Sequence, residues 1–261
     1  MSTAGQPPLL QARALDVEIG GKSVCQGLDM DIQAGQHWGL LGVNGVGKTT
    51  LLHTLAGLRA PREGSLWLGG EALAALPRRR IAQQIGVLLQ DDVDAFPGTV
   101  LETVLSGRHP WLGQWQWESE ADRALALTAL GDVGLAGLGT RQVNTLSGGE
   151  RRRLALATLL VQDPQLFLLD EPTNHLDPHH QIGLLSLLAQ RVSQQGRASL
   201  MILHDINLAT RFCDHLLLLF GDGEHLSGPT REVLNTDTLS RLYGHPVISV
   251  QGPKGTIYLP G

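Results

Sequence analysis

Residues Gly42-Val43-Asn44-Gly45-Val46-Gly47-Lys48-Thr49-Thr50 match the phosphate-binding pattern G-x-x-x-x-G-K-[ST]. This pattern constrains the fold more than any other stretch, because it works only as a loop between a buried strand and a helix. Trp38-Gly39-Leu40-Leu41 before it reads as the strand, and Leu51, Leu52, Leu55 and Leu58 after it recur at helical spacing. Gly42, Gly45 and Gly47 let backbone N–H groups turn inward on one phosphate, with Asn44 between them and Thr50 opening the helix. The helix start adds its positive end, Lys48 can reach the outer phosphates, and the Thr49 hydroxyl can face a magnesium ion.

The composition is that of an ordinary globular protein: 261 residues, 42% hydrophobic, with a formal net charge of −5. That charge argues against a general nucleic-acid binder, which needs a clustered basic excess. Arg78-Arg79-Arg80 reads as a solvated helix face. No apolar run approaches the roughly 20 residues that span a bilayer, and Met1 to Pro8 has no signal-peptide pattern, so the chain is expected to stay in the cytosol. Cys25 and Cys213 lie far apart without metal-ligand spacing and read as buried thiols.

Along the chain, Ala12 to Ile19 and Val24 to Ile32 are β-like segments around Gly20-Gly21, a hairpin signal. Ile85 to Leu89 reads as a buried strand delivering Gln90 at its end. Between about Asp91 and Thr145 the texture turns helical, which predicts an inserted helical subdomain. Leu146-Ser147-Gly148-Gly149-Glu150 has capping-box spacing, and its two glycines leave N–H groups uncovered at a helix start, where a second anion could sit.

Leu166-Phe167-Leu168-Leu169 is a continuous apolar strand ending in Asp170-Glu171. In an open α/β sheet the ligand lies beyond the carboxyl ends of the strands, so Asp170 can approach magnesium while Glu171 faces the water that attacks phosphorus. Ser199 to Leu203 is a further strand ending in His204, which is expected to point into the same pocket and bond the terminal phosphate. His179 and His180 open a helix and lack companion ligands, so no metal role falls to them.

Together these residues resemble the nucleotide-binding subunit of ABC transporters over nearly the whole chain. The resemblance implies that Gly42 to Thr49 is the Walker A loop, Gln90 the Q-loop, Leu146 to Glu150 the signature motif and Phe167 to Asp170 the Walker B strand. It further implies Glu171 as the catalytic carboxylate, Asn174 to Asp177 as the D-loop, and His204 as the switch histidine. ATP and Mg²⁺ are the implied cofactors, with Thr49, Gln90 and Asp170 at the metal. Two copies would stack head to tail, each ATP lying between one P-loop and the partner's Ser147, Gly148 and Gly149, with Asp177 nearby. The implied fold is an α/β P-loop ATPase core with an N-terminal antiparallel β element. About 1–90 and 155–245 would form the RecA-like core, about 91–154 the helical subdomain and 246–261 a C-terminal tail.

Shorter motifs look like the branch that imports metal chelates such as siderophores, haem and cobalamin: Phe96-Pro97, Gly107-Arg108-His109-Pro110-Trp111, His204 to Ala209 with Arg211, and Tyr243-Gly244. That branch implies a separate polytopic permease, a periplasmic or extracellular binding protein acting indirectly, and a place on the cytoplasmic face of the bacterial inner membrane. Trp111, Trp115 and Trp117 fit either packing within the helical subdomain or exposure at a permease contact. An ATPase of another importer class stays open. A soluble relative acting on nucleic acid or ribosomes would be expected to carry long arms or a second cassette, and a non-hydrolysing module to lose Lys48 or Glu171. One departure concerns the base: the family usually stacks an aromatic residue on adenine, and strand register puts Val17 there.

Overall fold

Every residue of Leu166-Phe167-Leu168-Leu169 is buried, and successive side chains enter opposite cores, Leu166 and Leu168 into one and Phe167 and Leu169 into the other. A strand covered on both faces must be central in a sheet between two layers. The computed structural model, which describes residues 7–90, 98–174, 176–252 and 255–261, shows this arrangement.

The chain opens with β1 (Leu10–Ile19) and β2 (Lys22–Ile32), then β3 (His37–Gly42) and α1 (Lys48–Leu55). Next come β4 (Glu63–Leu68), β5 (Glu71–Ala72), α2 (Arg78–Gln84) and β6 (Ile85–Leu88). Three helices succeed them: α3 (Val100–Leu105), α4 (Glu120–Asp132) and α5 (Gly148–Gln162). The chain returns to the sheet with β7 (Leu166–Leu169), α6 (Pro178–Gln195), β8 (Ala198–Ile202), α7 (Ile206–Phe212), β9 (His215–Gly221) and β10 (Glu224–Pro229). It ends in α8 (Thr230–Val233), α9 (Thr236–Tyr243), β11 (Val247–Gly252) and β12 (Gly255–Pro260).

The main sheet runs β10-β9-β3-β8-β7-β6, parallel except for β10, which pairs antiparallel with β9. A second, antiparallel sheet of order β2-β1-β4-β5 contributes Leu15, Leu28 and Ile32 to a core that also holds Leu51, Leu55 and the Leu166 face of the main sheet. The opposite core joins Phe167 and Leu169 to Val104, Leu130, Leu156, Leu188 and Leu239. These two layers fix the sheet so that its carboxyl edge is presented as a unit.

Several local readings hold. Cys25 and Cys213 are buried free thiols, and burial pushes Cys25 up to about 12. Arg78, Arg79 and Arg80 lie exposed on α2, where Arg80 pairs with Glu71 at 2.5 Å. Leu58 differs from the reading: α1 ends at Leu55, and Leu58 is 57% exposed. Phe96-Pro97 lies outside the described residues.

Candidate functional site

In the main sheet β3, β8, β7 and β6 are consecutive neighbours, so the segments leaving these strands emerge along one edge. There a cleft of about 560 Å³ is walled by Asn44, Gly45, Gly47, Lys48, Thr49 and Thr50 from the loop and α1. Gln90, Glu171, Asn174 and His204 line it from the other strand ends, and Ile19 from the end of β1. A second cleft of about 480 Å³, against Trp67, Leu73 and Arg78, contains none of the predicted site residues.

Gly47 caps α1 at φ 104°, and a Cβ there would stand 2.5 Å from Val24 Cγ2, so strain and space both require glycine. Lys48 is buried, and its Nζ donates to the carbonyls of Gly42 at 2.9 Å and Val43 at 3.0 Å. Burial pulls the Lys48 ammonium below its ordinary value, while Glu171 and Asp170 push it back up.

Asp170 is 0% exposed, and among the described residues neither of its oxygens completes a hydrogen bond of normal geometry. Burial pushes its carboxyl above the usual range, the nearby Thr49 hydroxyl pulls it down, and Glu171 pushes it up. A buried carboxylate with orphaned lone pairs is a site where a divalent cation fits, since hard cations take oxygen ligands.

Glu171 adopts φ 48°, the left-handed region a non-glycine residue enters at a cost of about 1–3 kcal/mol. Its Oε1 lies 2.6 Å from His204 Nε2, and its Oε2 accepts from Gln90 Nε2 at 3.4 Å and from Asn174 Nδ2. One carboxylate thus touches the segments that leave β6, β7 and β8.

The structure separates the predicted residues into two groups. Lys48, Thr49, Gln90, Glu171 and His204 meet at the cleft, with Asp170 buried beside them and Gly42 giving its carbonyl to Lys48. Ser147, Gly148, Gly149 and Asp177 are not among the residues lining it. Ser147 closes the expected capping box with Glu150, worth about 1 kcal/mol, at the start of α5. Asp177 caps α6, accepting from His180 N at 3.0 Å, and that bond holds its carboxyl below the usual range.

Val17 does not line the cleft. It is 1% exposed, paired with Cys25 and buried in the β-element core; two residues on, Ile19 shares its face but lies past the edge of that core, 44% exposed. Of the tryptophans, Trp111 donates to the Gln162 carbonyl at 2.7 Å and takes Arg108 against its ring at 5.5 Å. Trp115 and Trp117 are 91% and 86% exposed, so packing does not account for them.

Residues 25–174 match the family model described as ABC transporter. The chain belongs to the ABC transporter family. It is an ATP-binding ATPase domain of that family, in keeping with the loop, carboxylates and histidine gathered at one sheet edge. Among curated ABC proteins, it is 36% identical over 94% of its length, and 89% of the relative's, to a probable siderophore transport system ATP-binding protein of Bacillus subtilis. It is 39% identical, over 94% and 85%, to the hemin import ATP-binding protein of Nocardia farcinica, and 34% identical, over 94% and 90%, to the ferric enterobactin transport ATP-binding protein of Escherichia coli. Among solved ABC structures, the inward-facing transporter of metal-chelate type superposes with a TM-score of 0.84 at 28% identity, covering 97% of both chains. The dimeric cassette MJ0796 with ADP and phosphate does so at 0.74 and 25%, covering 84% and 98%. Among the described residues no helix is long and apolar enough to cross a membrane.

Two residues at the site escaped the sequence reading, and a third was placed only within the D-loop. Ile19 takes the place expected of Val17 at the cleft, buried Arg152 of α5 donates to the carbonyls of Leu89, Asp170 and Glu171, and Asn174 of the D-loop binds the Glu171 carboxylate. Asn174 comes after the acidic pair within a polar turn, which was the available signal; Arg152 sits in an arginine run that spacing alone does not resolve.

Proposed function

We propose that this chain hydrolyses ATP to drive import of a metal chelate, an iron–siderophore, haem or cobalamin, through a separate membrane permease. The observation that carries it is the convergence of Lys48, Asp170, Glu171 and His204 at the end of a P-loop sheet, in a chain whose curated relatives include siderophore and hemin import subunits. Lys48 and the amides of Gly45 and Gly47 bind the phosphates. Thr49, Gln90 and Asp170 hold Mg²⁺, which when bound neutralises charge on the phosphate oxygens. Glu171 polarises the attacking water, and His204 leaves Glu171 to donate to the terminal phosphate as charge develops there.

Ser147, Gly148, Gly149 and Asp177 complete the site of a second copy stacked head to tail, which accounts for their absence from the lining of the cleft in their own subunit. The subunit sits on the cytoplasmic face of the bacterial inner membrane, held by the permease. A binding protein outside the membrane acts indirectly, and nucleic acid takes no part.

Purification from native membranes, then ATPase measurement in vesicles, tests the reading. A polytopic membrane protein should co-purify, and one chelate with its binding protein should stimulate hydrolysis that Glu171→Gln abolishes. Co-purification with RNA instead would overturn it. For the shared site, Lys48→Ala and Ser147→Arg subunits, each inactive alone, should regain activity when mixed, because both lesions then fall on one of the two sites. Verified heterodimers without activity, where a wild-type/Lys48→Ala pair remains active, would remove Ser147 from the interface.

A further inference from the structure

The carbonyls of Leu89, Asp170 and Glu171 lie just past the paired ends of β6 and β7, whose ladder stops at Leu88 and Leu169. Beyond that point the sheet supplies no regular partner, and buried carbonyls must find one elsewhere. All three find the same one. Arg152, on α5 and 4% exposed, donates Nη1 to Leu89 O and Nη2 to Asp170 O and, at 2.9 Å, to Glu171 O. A guanidinium suits this task because its donors are set in a rigid planar fork.

The residue so held is the strained one. Glu171 at φ 48° keeps its conformation only if its surroundings over-determine it. Its carbonyl takes the Arg152 bond and a bond from Asn174 N at 3.2 Å, so main chain and side chain are fixed from different elements.

From these contacts we infer that Arg152 is a positioning residue for Glu171: it sets the peptide from which the catalytic carboxylate projects, and does not itself touch nucleotide. The role of Glu171 rests on the function proposed above; the holding of its peptide does not. A displacement of the carboxylate by about 1 Å would cost on the order of 100-fold in turnover, while phosphate binding by Lys48 and the loop amides would persist.

The test pairs a structural readout with a kinetic one on the full chain. In nucleotide-free Arg152→Met, amide hydrogen exchange in the segment 170–174 should quicken while β3 and β8 exchange as in wild type. Turnover with permease present should fall about 10–100-fold with the ATP dissociation constant within roughly threefold. Arg152→Gln, which keeps two donors, should recover part of both effects, and it serves as the variant if Arg152→Met does not fold. Unchanged exchange in 170–174 overturns the inference whatever the activity. Loss of ATP binding in parallel with turnover also overturns it, reducing Arg152 to a core support. If wild type hydrolyses no ATP, the proposed function fails, and the exchange data still decide whether Arg152 holds the peptide.

Discussion

Replacing Asp170 by Asn should stabilise the nucleotide-free protein while removing its response to magnesium. The wild-type carboxylate is fully buried with both oxygens short of normal hydrogen bonds, a state that costs about 1–3 kcal/mol. At roughly 2–4 °C per kcal/mol for a chain near this size, relief of that cost raises Tm by about 2–12 °C. The Asn amide keeps the shape and is as short of partners as the carboxylate was, so what the variant relieves is the buried charge; Arg152 keeps its carbonyl acceptors. The pH dependence fixes the cause. Because the folded carboxyl titrates above its ordinary 3.8, its contribution favours folding below that value and is lost as pH rises through the raised folded pKa. The advantage of Asp170→Asn should therefore vanish in acid, grow across that window and level off above it. MgATP at about 100 times its dissociation constant stabilises wild type by roughly 2.7 kcal/mol, and the variant should melt alike with ATP plus magnesium or ATP plus chelator. Scanning fluorimetry across pH reads all of this. A variant that melts no higher than wild type at neutral pH without nucleotide would refute the reasoning.

Ile19→Tyr should tighten ATP binding by roughly 2–12-fold, the equivalent of a stacking gain of about 0.5–1.5 kcal/mol, and titration calorimetry with ATP and GTP would show it. Unimproved affinity, or strong rejection of GTP by wild type, would place base recognition elsewhere. Trp115→Ala and Trp117→Ala should leave stability within about 0.5 kcal/mol while weakening retention of the permease in detergent; a lowered Tm with full retention would return both rings to a packing role.

What could be read from sequence was the chemistry carried by contiguous residues. The loop Gly42 to Thr49, the acidic pair after β7 and the capping box at Ser147 each contain their own physical reason, so order along the chain sufficed. What could not be read depends on who lies across the gap. Val17 and Ile19 have the same parity on β1, and only the extent of the core built with β2 buries one and frees the other. Arg152 finds its acceptors 63, 18 and 19 residues away, a pairing that no local spacing encodes. The end of the chain, where the resemblance implied only a tail over 246–261, holds α8, α9 and then a hairpin. In it Ile248 opposes Leu259 and Val250 opposes Ile257 on one exposed face, while Tyr258 reaches back to the Leu234 carbonyl.

The three helices between β6 and β7 leave the sheet beside Gln90 and return through α5, and both junctions bear on Glu171: Gln90 on its carboxylate, Arg152 on its carbonyl. A shift of α5 against the sheet would move a donor to the Glu171 carbonyl, and a shift of Gln90 would move a donor to its carboxylate. On the function proposed above, a partner bound to the outer surface of these helices would act on the water-polarising carboxylate without coming near the phosphates.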